Sequence, residues 1–338
     1  MKVLVVGAGF AGLSVCYYLQ VIHGAQVTLC DKKGIASGAS GASCGLMHPY
    51  VGEDVKRSFM AKEAFEESKS LIEAASFFSS ESFSDFSGVS RRTESVEQSN
   101  KMLLHAATFK DIIPLSDHLF LITLGATLQT IEYLNALWQA CEKAGSTFLI
   151  EDITDLSTYM IQYDAIIIAA GEGVFHFQET KSFPLGQVRG QSLKCLWPPD
   201  VSPLERSLVG KGYAAVYSDK NKVCFGATFE RGVETKDPDF ATAMALLAPK
   251  MNALLPSIPL VPIEARAGIR VSTRGHYLPL VGKVKEKLFL FSGLGSRGLL
   301  YHAFFGKMLA NLVVHGDDSA IPYISKKLFT KNVTTYTM

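Results

Sequence analysis

Residues 3–31, VLVVGAGFAGLSVCYYLQVIHGAQVTLCD, constrain this chain more than any other stretch. The apolar run Val3-Leu4-Val5-Val6 enters Gly7-Ala8-Gly9-Phe10-Ala11-Gly12, a helical segment covers about 11–22, and a second apolar run, 26–30, closes on Asp31. A G-x-G-x-x-G pattern acquires meaning in this strand–turn–helix–strand setting. Gly7 permits the tight turn, Gly9 lets backbone approach a pyrophosphate, and Gly12 lets helix pack against strand. The phosphates then face a helix N-terminus, where unpaired N–H groups and peptide dipoles favour negative charge. Asp31 stands about twenty residues on, where a carboxylate accepts the adenosine ribose hydroxyls and repels a 2′-phosphate. The motif predicts the ADP half of FAD or NAD and argues against NADP. It does not separate FAD from NAD.

At 338 residues the chain has room for two domains and an ample core. Hydrophobic residues at 48% and charged ones at 19% describe a globular protein rather than a disordered one. A net charge of +1 creates no overall field that recruits nucleic acid. The six cysteines (Cys16, Cys30, Cys44, Cys141, Cys195 and Cys224) have no CxxC or metal-ligand spacing, so reduced buried thiols in a cytoplasmic protein and no metal site are expected. The apolar N-terminus lacks a charged leader region and reads as a strand. No apolar run reaches the ~18 residues of a membrane span.

Behind Asp31 and the Lys32-Lys33 pair lies a loop of small residues, 36–45, whose hydroxyls and N–H groups suit a phosphate or a ring edge. His48-Pro49-Tyr50 ends it, with His48 read as a structural residue. The spacing of Met60, Ala64, Leu71, Ala75 and Phe78 predicts a helix over 57–78 with a core-facing stripe. Residues 79–100, with Arg91-Arg92, read as irregular connection or short strands on the outer part of the protein. A helix over 127–143 and a strand over 147–151 follow. The run 163–171, ending Ala169-Ala170-Gly171, reads as a buried parallel strand whose carboxyl end leaves backbone open to a ligand. Residues 213–217 and 222–229 predict an antiparallel hairpin, and 239–251 a helix. A strand over 287–292 then feeds Gly293-Leu294-Gly295-Ser296-Arg297-Gly298-Leu299 and a helix over 300–314, a second anion-favouring helix start. The last residues, with Lys326, Lys327 and Lys331, read as a frayed tail.

Several of these segments, in one order, resemble the FAD-dependent D-amino-acid-oxidase superfamily. GAGFAG with Asp31 resembles its ADP-binding unit, ASGASGASCG its second flavin loop and AIIIAAG its mid-chain strand. GQVRGQ (186–191) is similar to the family's entry into the substrate domain, and Gly226-Ala227-Thr228 to its GAT strand. AGIR (267–270) with LPLVG (278–282) resembles the AGxR…LPxxG segment, and GLGSRGLL the last flavin loop. Within the superfamily, GSRGL and TRGHYLPLVG look most like the oxidase half of the bacterial enzyme that trims carboxymethylaminomethyl groups on tRNA uridine, with glycine oxidases and D-amino-acid dehydrogenases next. That tRNA enzyme's fused methyltransferase is not expected in this chain, and Asp31 stands where many members have Glu.

The resemblance implies an α/β fold: a discontinuous Rossmann-like FAD-binding domain (1–78, 127–185, 265–338) with an inserted α+β substrate domain (79–126, 186–264) built on an antiparallel sheet. It implies FAD against Gly7, Gly9, Phe10, Ala11, Gly12, Asp31, Lys32, Ser40, Ser43, Cys44, Gly45, Ile153, Ala170, Gly171, Gly295, Ser296, Arg297, Gly298 and Leu299. With no Cys after Cys224, that FAD is expected to be non-covalent. The implied reaction is C–N oxidation, with hydride passing to flavin N5 and water hydrolysing the imine. The implied substrate is a small carboxylated amine or amino acid, with the tRNA group as another candidate. Arg270 is expected to hold the carboxylate bidentately, and Arg297, with the Gly298 and Leu299 N–H groups, to face the flavin N1–C2=O edge. Tyr213, Tyr217 and His276 are candidate pocket residues. The alternatives are a structural or sensory flavoprotein and an NAD-dependent dehydrogenase.

Overall fold

A computed structural model describes residues 1–333. The opening run becomes β1 (Lys2–Val6) at the centre of a six-stranded sheet ordered β16 (Leu280–Lys285), β17 (Leu288–Ser292), β10 (Ala165–Ile168), β1, β2 (Gln26–Asp31) and β9 (Thr147–Ile150). All neighbours are parallel except the β16–β17 pair. Both faces of this sheet are covered, which explains why β1 and β10 read as continuous apolar runs. Val3 and Val5 face helices α1 (Phe10–Tyr17), α2 (Ala61–Ser76), α4 (Thr130–Lys143) and α7 (Gly298–His315), while Leu4 and Val6 face a second core with Phe177, Phe183 and Phe329.

The second sheet has eight strands in the order β15 (Val261–Thr273), β11 (Leu185–Leu196), β14 (Lys222–Gly226), β13 (Tyr213–Val216), β12 (Leu208–Val209), β5 (Val89–Arg92), β7 (Leu119–Ile122) and β6 (Ile112–Ser116). Its pairs are antiparallel except β12–β5. The expected hairpin is β13–β14. Helix α6 (Phe240–Leu254) packs under this sheet through Ala243, Leu247 and Met251. Strand β15 pairs with β11 along its length, so position 265 lies inside a strand of the second sheet. A small sheet of β3 (Leu46–Met47), β8 (Ala126–Leu128) and β4 (Ser84–Asp85) lies beside the first, and α5 (Ser157–Gln162) precedes β10.

Three readings of the sequence change here. The stretch read as irregular runs into helix α3 (Val96–Phe109), started by Ser95, whose side chain accepts the Gln98 N–H at 3.2 Å while Gln98 reaches back to the Glu94 N–H at 3.0 Å. That resembles a capping box in which the Gln return bond reaches the residue before the cap rather than the cap itself. The tail read as frayed is helix α8 (Tyr323–Val333), carrying Lys326, Lys327 and Lys331. It is ordered by a buried Ser325–Phe329 pair one turn apart. Ser325 Oγ accepts the Val281 N–H at 3.0 Å and donates to the Val281 carbonyl at 3.1 Å, and Phe329 stacks on Phe183 and lies over Gly282. Helix α2 starts at Ala61, leaving Met60 exposed ahead of it rather than in the core.

Candidate active site

The glycine turn after β1 is built by close backbone approach. A Cβ on Gly7, whose φ is +112°, would stand 2.3 Å from the Ala169 carbonyl oxygen, and one on Gly12 would stand 1.8 Å from that of Gly7. Helix α1 therefore starts directly over the turn. The Phe10 N–H at its start donates to Ser40 Oγ at 3.0 Å, tying the turn to the small-residue loop. Asp31 accepts the Ala8 N–H at 3.0 Å on one oxygen. Its other oxygen accepts Lys33 N–H, Gly34 N–H and the Ser37 hydroxyl at 2.9, 3.2 and 3.1 Å. Three donors gather on Oδ1 and one on Oδ2, so the carboxylate organises the turn while Oδ2 keeps acceptor capacity for a ribose hydroxyl.

A cavity of about 480 Å³ runs from this turn to the face of the second sheet. Its wall gathers Gly7, Gly9, Phe10, Ala11, Asp31, Lys32, Ser40, Ser43, Ile153, Ala170 and Gly171 with Gly295, Ser296, Arg297, Gly298, Leu299 and Arg270. All but Arg270 come from five separated stretches that the parallel sheet brings together at the carboxyl ends of its strands, and Arg270 comes from β15 of the second sheet. Across the mouth, Lys236 pairs with Glu172 at 2.6 Å, joining the two halves of the wall.

Three of the predicted cofactor residues do not line the cavity. Gly12 lies beneath the turn as the packing residue. Gly45, at φ +76°, is pressed against the Leu128 carbonyl, where a Cβ would stand 1.7 Å away. Cys44 is disulfide-bonded to Cys224, which corrects the expectation of six reduced thiols; the other four cysteines are free and buried. The two half-cystines lie 180 residues apart in sequence, on the small-residue loop and on β14, and only the packing of the two sheets brings them together. No cluster of metal-ligating side chains occurs among the described residues.

On the second-sheet side, Arg270 lies over Gly190, where a Cβ would meet its guanidinium at 2.3 Å, and donates to the Thr228 carbonyl at 2.8 Å. Tyr213 is beside it in the cavity wall, with burial holding its phenol protonated against the pull of the Arg270 charge. Arg297 precedes α7, stacks over Tyr277 at 4.5 Å and donates from Nε to Ser58 Oγ at 3.3 Å. The start of α7 is fixed from below by His302. Its Nδ1 lies 2.9 Å from the Leu299 carbonyl, which assigns the proton to Nδ1 and leaves Nε2 to accept the Tyr133 hydroxyl at 2.6 Å. Burial keeps His302 neutral, its pKa pushed down to about 4.

Sequence reasoning did not place Arg91 or His48 in the cavity wall, where both are buried. Arg91 is 3% exposed, lines the cavity, and donates to the Tyr50 and Gly52 carbonyls at 2.9 Å each. Its signal was available, because period-two alternation on β5 puts Arg91 on the face of buried Val89. His48 is buried in the same wall, and burial together with the Arg91 and Arg297 charges lowers its pKa to about 3. Tyr217 and His276 lie outside this wall, Tyr217 in a separate small cavity with Cys44.

The family described as DAO, FAD dependent oxidoreductase, matches residues 2–312. The tRNA 5-methylaminomethyl-2-thiouridine biosynthesis bifunctional protein MnmC of Maricaulis maris (strain MCS10) is 26% identical over 328 residues, covering 93% of this chain and 52% of that protein. The chain spans about half the length of this curated relative. Among solved structures, iminodiacetate oxidase from Chelativorans sp. BNC1 superposes with a TM-score of 0.77 at 20% identity, covering 95% of this chain and 97% of that one. Glycine oxidase from Geobacillus kaustophilus gives 0.77 at 19% identity, covering 92% and 94%. The two structures share the fold, mixed α/β with several sheets. Matched over residues 2–312, the chain belongs to the DAO family of FAD-dependent oxidoreductases.

Proposed function

We propose that this oxidoreductase breaks the C–N bond of an amine that carries a carboxylate, and that Arg270 holds that carboxylate. The observation that carries the reading is Arg270 itself: a guanidinium on the cavity wall, positioned by Gly190 and the Thr228 carbonyl, with no acidic side chain within ion-pair distance among the described residues. A planar fork of this kind takes a carboxylate bidentately. The names of the related proteins fit, since glycine and iminodiacetate are both carboxylated amines.

The residues present fit FAD. The turn at Gly7 and Gly9 admits no Cβ, which would clash with the Ala169 carbonyl or Ser40 Oγ, and Gly298 and Leu299 at the start of α7 line the cavity. Gly9, Phe10, Ala11, Ser40 and Ser43 would hold the phosphates, and Arg297 with Gly298 and Leu299 the ring edge that gains negative charge on reduction. When bound, FAD supplies the acceptor for the hydride removed from the substrate carbon. The chain's own contribution is orientation. Arg270 fixes the carboxylate, Tyr213 remains a phenol that can donate a hydrogen bond, and His48 stays neutral in the wall. No cysteine lies in residues 225–338, so the 293–299 loop itself carries no thiol to tether the cofactor.

The test is anaerobic mixing of the FAD-reconstituted protein with glycine, sarcosine, iminodiacetate, proline and D-amino acids. Carboxylated amines are expected to bleach the oxidised flavin, and their decarboxylated counterparts to fail. Gly190→Ala, which displaces the Arg270 guanidinium without removing its charge, and Arg270→Gln should each weaken binding, the latter on the order of 100-fold. If no carboxylated amine reduces the flavin, the reading fails. The likeness to the MnmC protein favours a second substrate, the carboxymethylaminomethyl group of a modified tRNA uridine. Bleaching by tRNA from cells lacking the modification oxidase, and not by tRNA from normal cells, would select it.

A further inference from the structure

Outside the cavity, buried Arg189 and half-buried Arg57 each have an acidic partner. Arg57 meets Asp111 at 2.8 Å and Arg189 meets Glu230 at 3.2 Å. The cavity-lining arginines are different: among the described residues, Arg91, Arg270 and Arg297 have no acidic side chain within 4.0 Å. Arg297 has the flavin edge to serve and Arg270 a substrate carboxylate. Arg91 has neither. Two of its five N–H donors go to the Tyr50 and Gly52 carbonyls, and its buried Nε has no partner. Glu94, on the same wall, is solvent-exposed and forms no ion pair with it. Beside Arg91 stands buried His48 with an unpartnered Nδ1. Glu94 acts on Arg91 only at longer range, so this buried cation has carbonyls as its sole hydrogen-bond partners, an arrangement that is costly unless an anion joins it.

Register places this cation relative to Arg270. Arg91 pairs with Val209, Val209 with Tyr213, and Tyr213 with Gly226, so one row crosses the cavity face of the sheet. Arg270 reaches to Thr228, just beyond the end of β14. Its guanidinium lies between Gly190 of β11 and the end of β14, so β5 is three to four strand spacings away, about 14–19 Å. Allowing ~3 Å for a charge-assisted hydrogen bond at each end leaves anionic groups about 8–13 Å apart, on the order of 10 Å.

We propose that the substrate is an elongated dianion, whose amine carboxylate sits on Arg270 while a second anionic group at the far end of the other amine substituent is taken by Arg91 beside His48. This rests on the carboxylated-amine reading of Arg270 and narrows it. A free glycine fills one end of the site, whereas a long arm ending in a carboxylate or a phosphate fills both. Arg91 is then a specificity residue, remote from the bond that breaks.

The test uses the FAD-loaded protein and N-carboxymethyl amines whose second arm is an alkyl chain of graded length ending in carboxylate, phosphate monoester or neutral carboxamide. Dissociation constants are read by calorimetry and by perturbation of the flavin spectrum, with thioethers replacing the amine to give unreactive ligands. The expected result is that an anionic terminus binds about tenfold or more tightly than the carboxamide, at arm lengths that span ~10 Å, and that Arg91→Gln loses this preference while Arg91→Lys retains part of it. Comparing the carboxylate and phosphate arms tells which anion is taken. No anion preference at any length, a preference confined to the shortest arm, or a full preference surviving in Arg91→Gln would overturn the proposal. The wild-type series decides by itself if the variants fail to fold. Thioether binding keeps the proposal separate from the reaction, since absence of flavin reduction alone counts against the C–N oxidation and not against the dianion site.

Discussion

Gly12→Ala is the most direct perturbation of the dinucleotide unit. The new Cβ would be 1.8 Å from the Gly7 carbonyl oxygen and 2.9 Å from its carbon, both rigid backbone atoms. Carbon–oxygen contacts settle at ~3.3 Å or longer, so α1 must withdraw from the turn by about 1.5 Å. It has nowhere to go, because on its other side Ser14 is packed against Gly306 of α7 so closely that a Cβ there would meet Ser14 Oγ at 2.6 Å. Withdrawal also stretches the Phe10 N–H bond to Ser40 and strains the Gly7 N–H bond to the Cys30 carbonyl, which is 2.7 Å long. Two lost hydrogen bonds at about 1 kcal/mol each, together with overpacking of α1 at ~1–3 kcal/mol, put the cost on the order of 4 kcal/mol. Gly24→Ala is the control. Gly24 has φ +67° with nothing within 4 Å, so only the left-handed backbone penalty of ~1 kcal/mol applies. Urea denaturation of the FAD-free protein measures both, and a fluorescence titration with FAD measures the turn itself. The Gly12 variant should lose several-fold more stability than the Gly24 variant and bind FAD more weakly. Equal losses in the two, with FAD affinity unchanged, would refute the reasoning.

Tyr133→Phe removes the hydroxyl that His302 Nε2 accepts in a fully buried site, and should cost about 1–3 kcal/mol by denaturation for the acceptor left unpaired. His302 and His48 are held neutral, with pKa values near 4 and 3 against an ordinary 6.5. The unfolded chain takes up their protons first, so stability is complete above pH 6.5 and falls as the pH drops toward the folded values. Each contributes a loss of roughly 2 kcal/mol between pH 6.5 and pH 5, readable in urea curves at the two pH values and refuted by a flat profile. Denatured without reductant, the chain should titrate as four thiols, and as six after reduction; six in both cases would remove the Cys44–Cys224 bond.

By itself the sequence determined the dinucleotide unit, because its constraints are local. A turn that admits only glycine, a helix start behind it and apolar runs covered on both faces are written in consecutive residues, and β1, α1, β2 and β10 follow the reading closely. The hairpin of β13 and β14 was legible for the same reason, as alternation on either side of a polar turn. The family resemblance added the flavin loops and Arg270, and the cavity brings them together. The tertiary structure alone decided what depends on distant partners. Cys44 and Cys224 meet across 180 residues, and the seemingly polar tail becomes α8 because Phe329 finds a place against Gly282 and Phe183. Arg91 looked like surface charge until β5 was set into the second sheet with that side chain turned inward. Charge burial is a property of what surrounds a residue, and the chain order of an arginine carries no record of whether an acid will be folded against it.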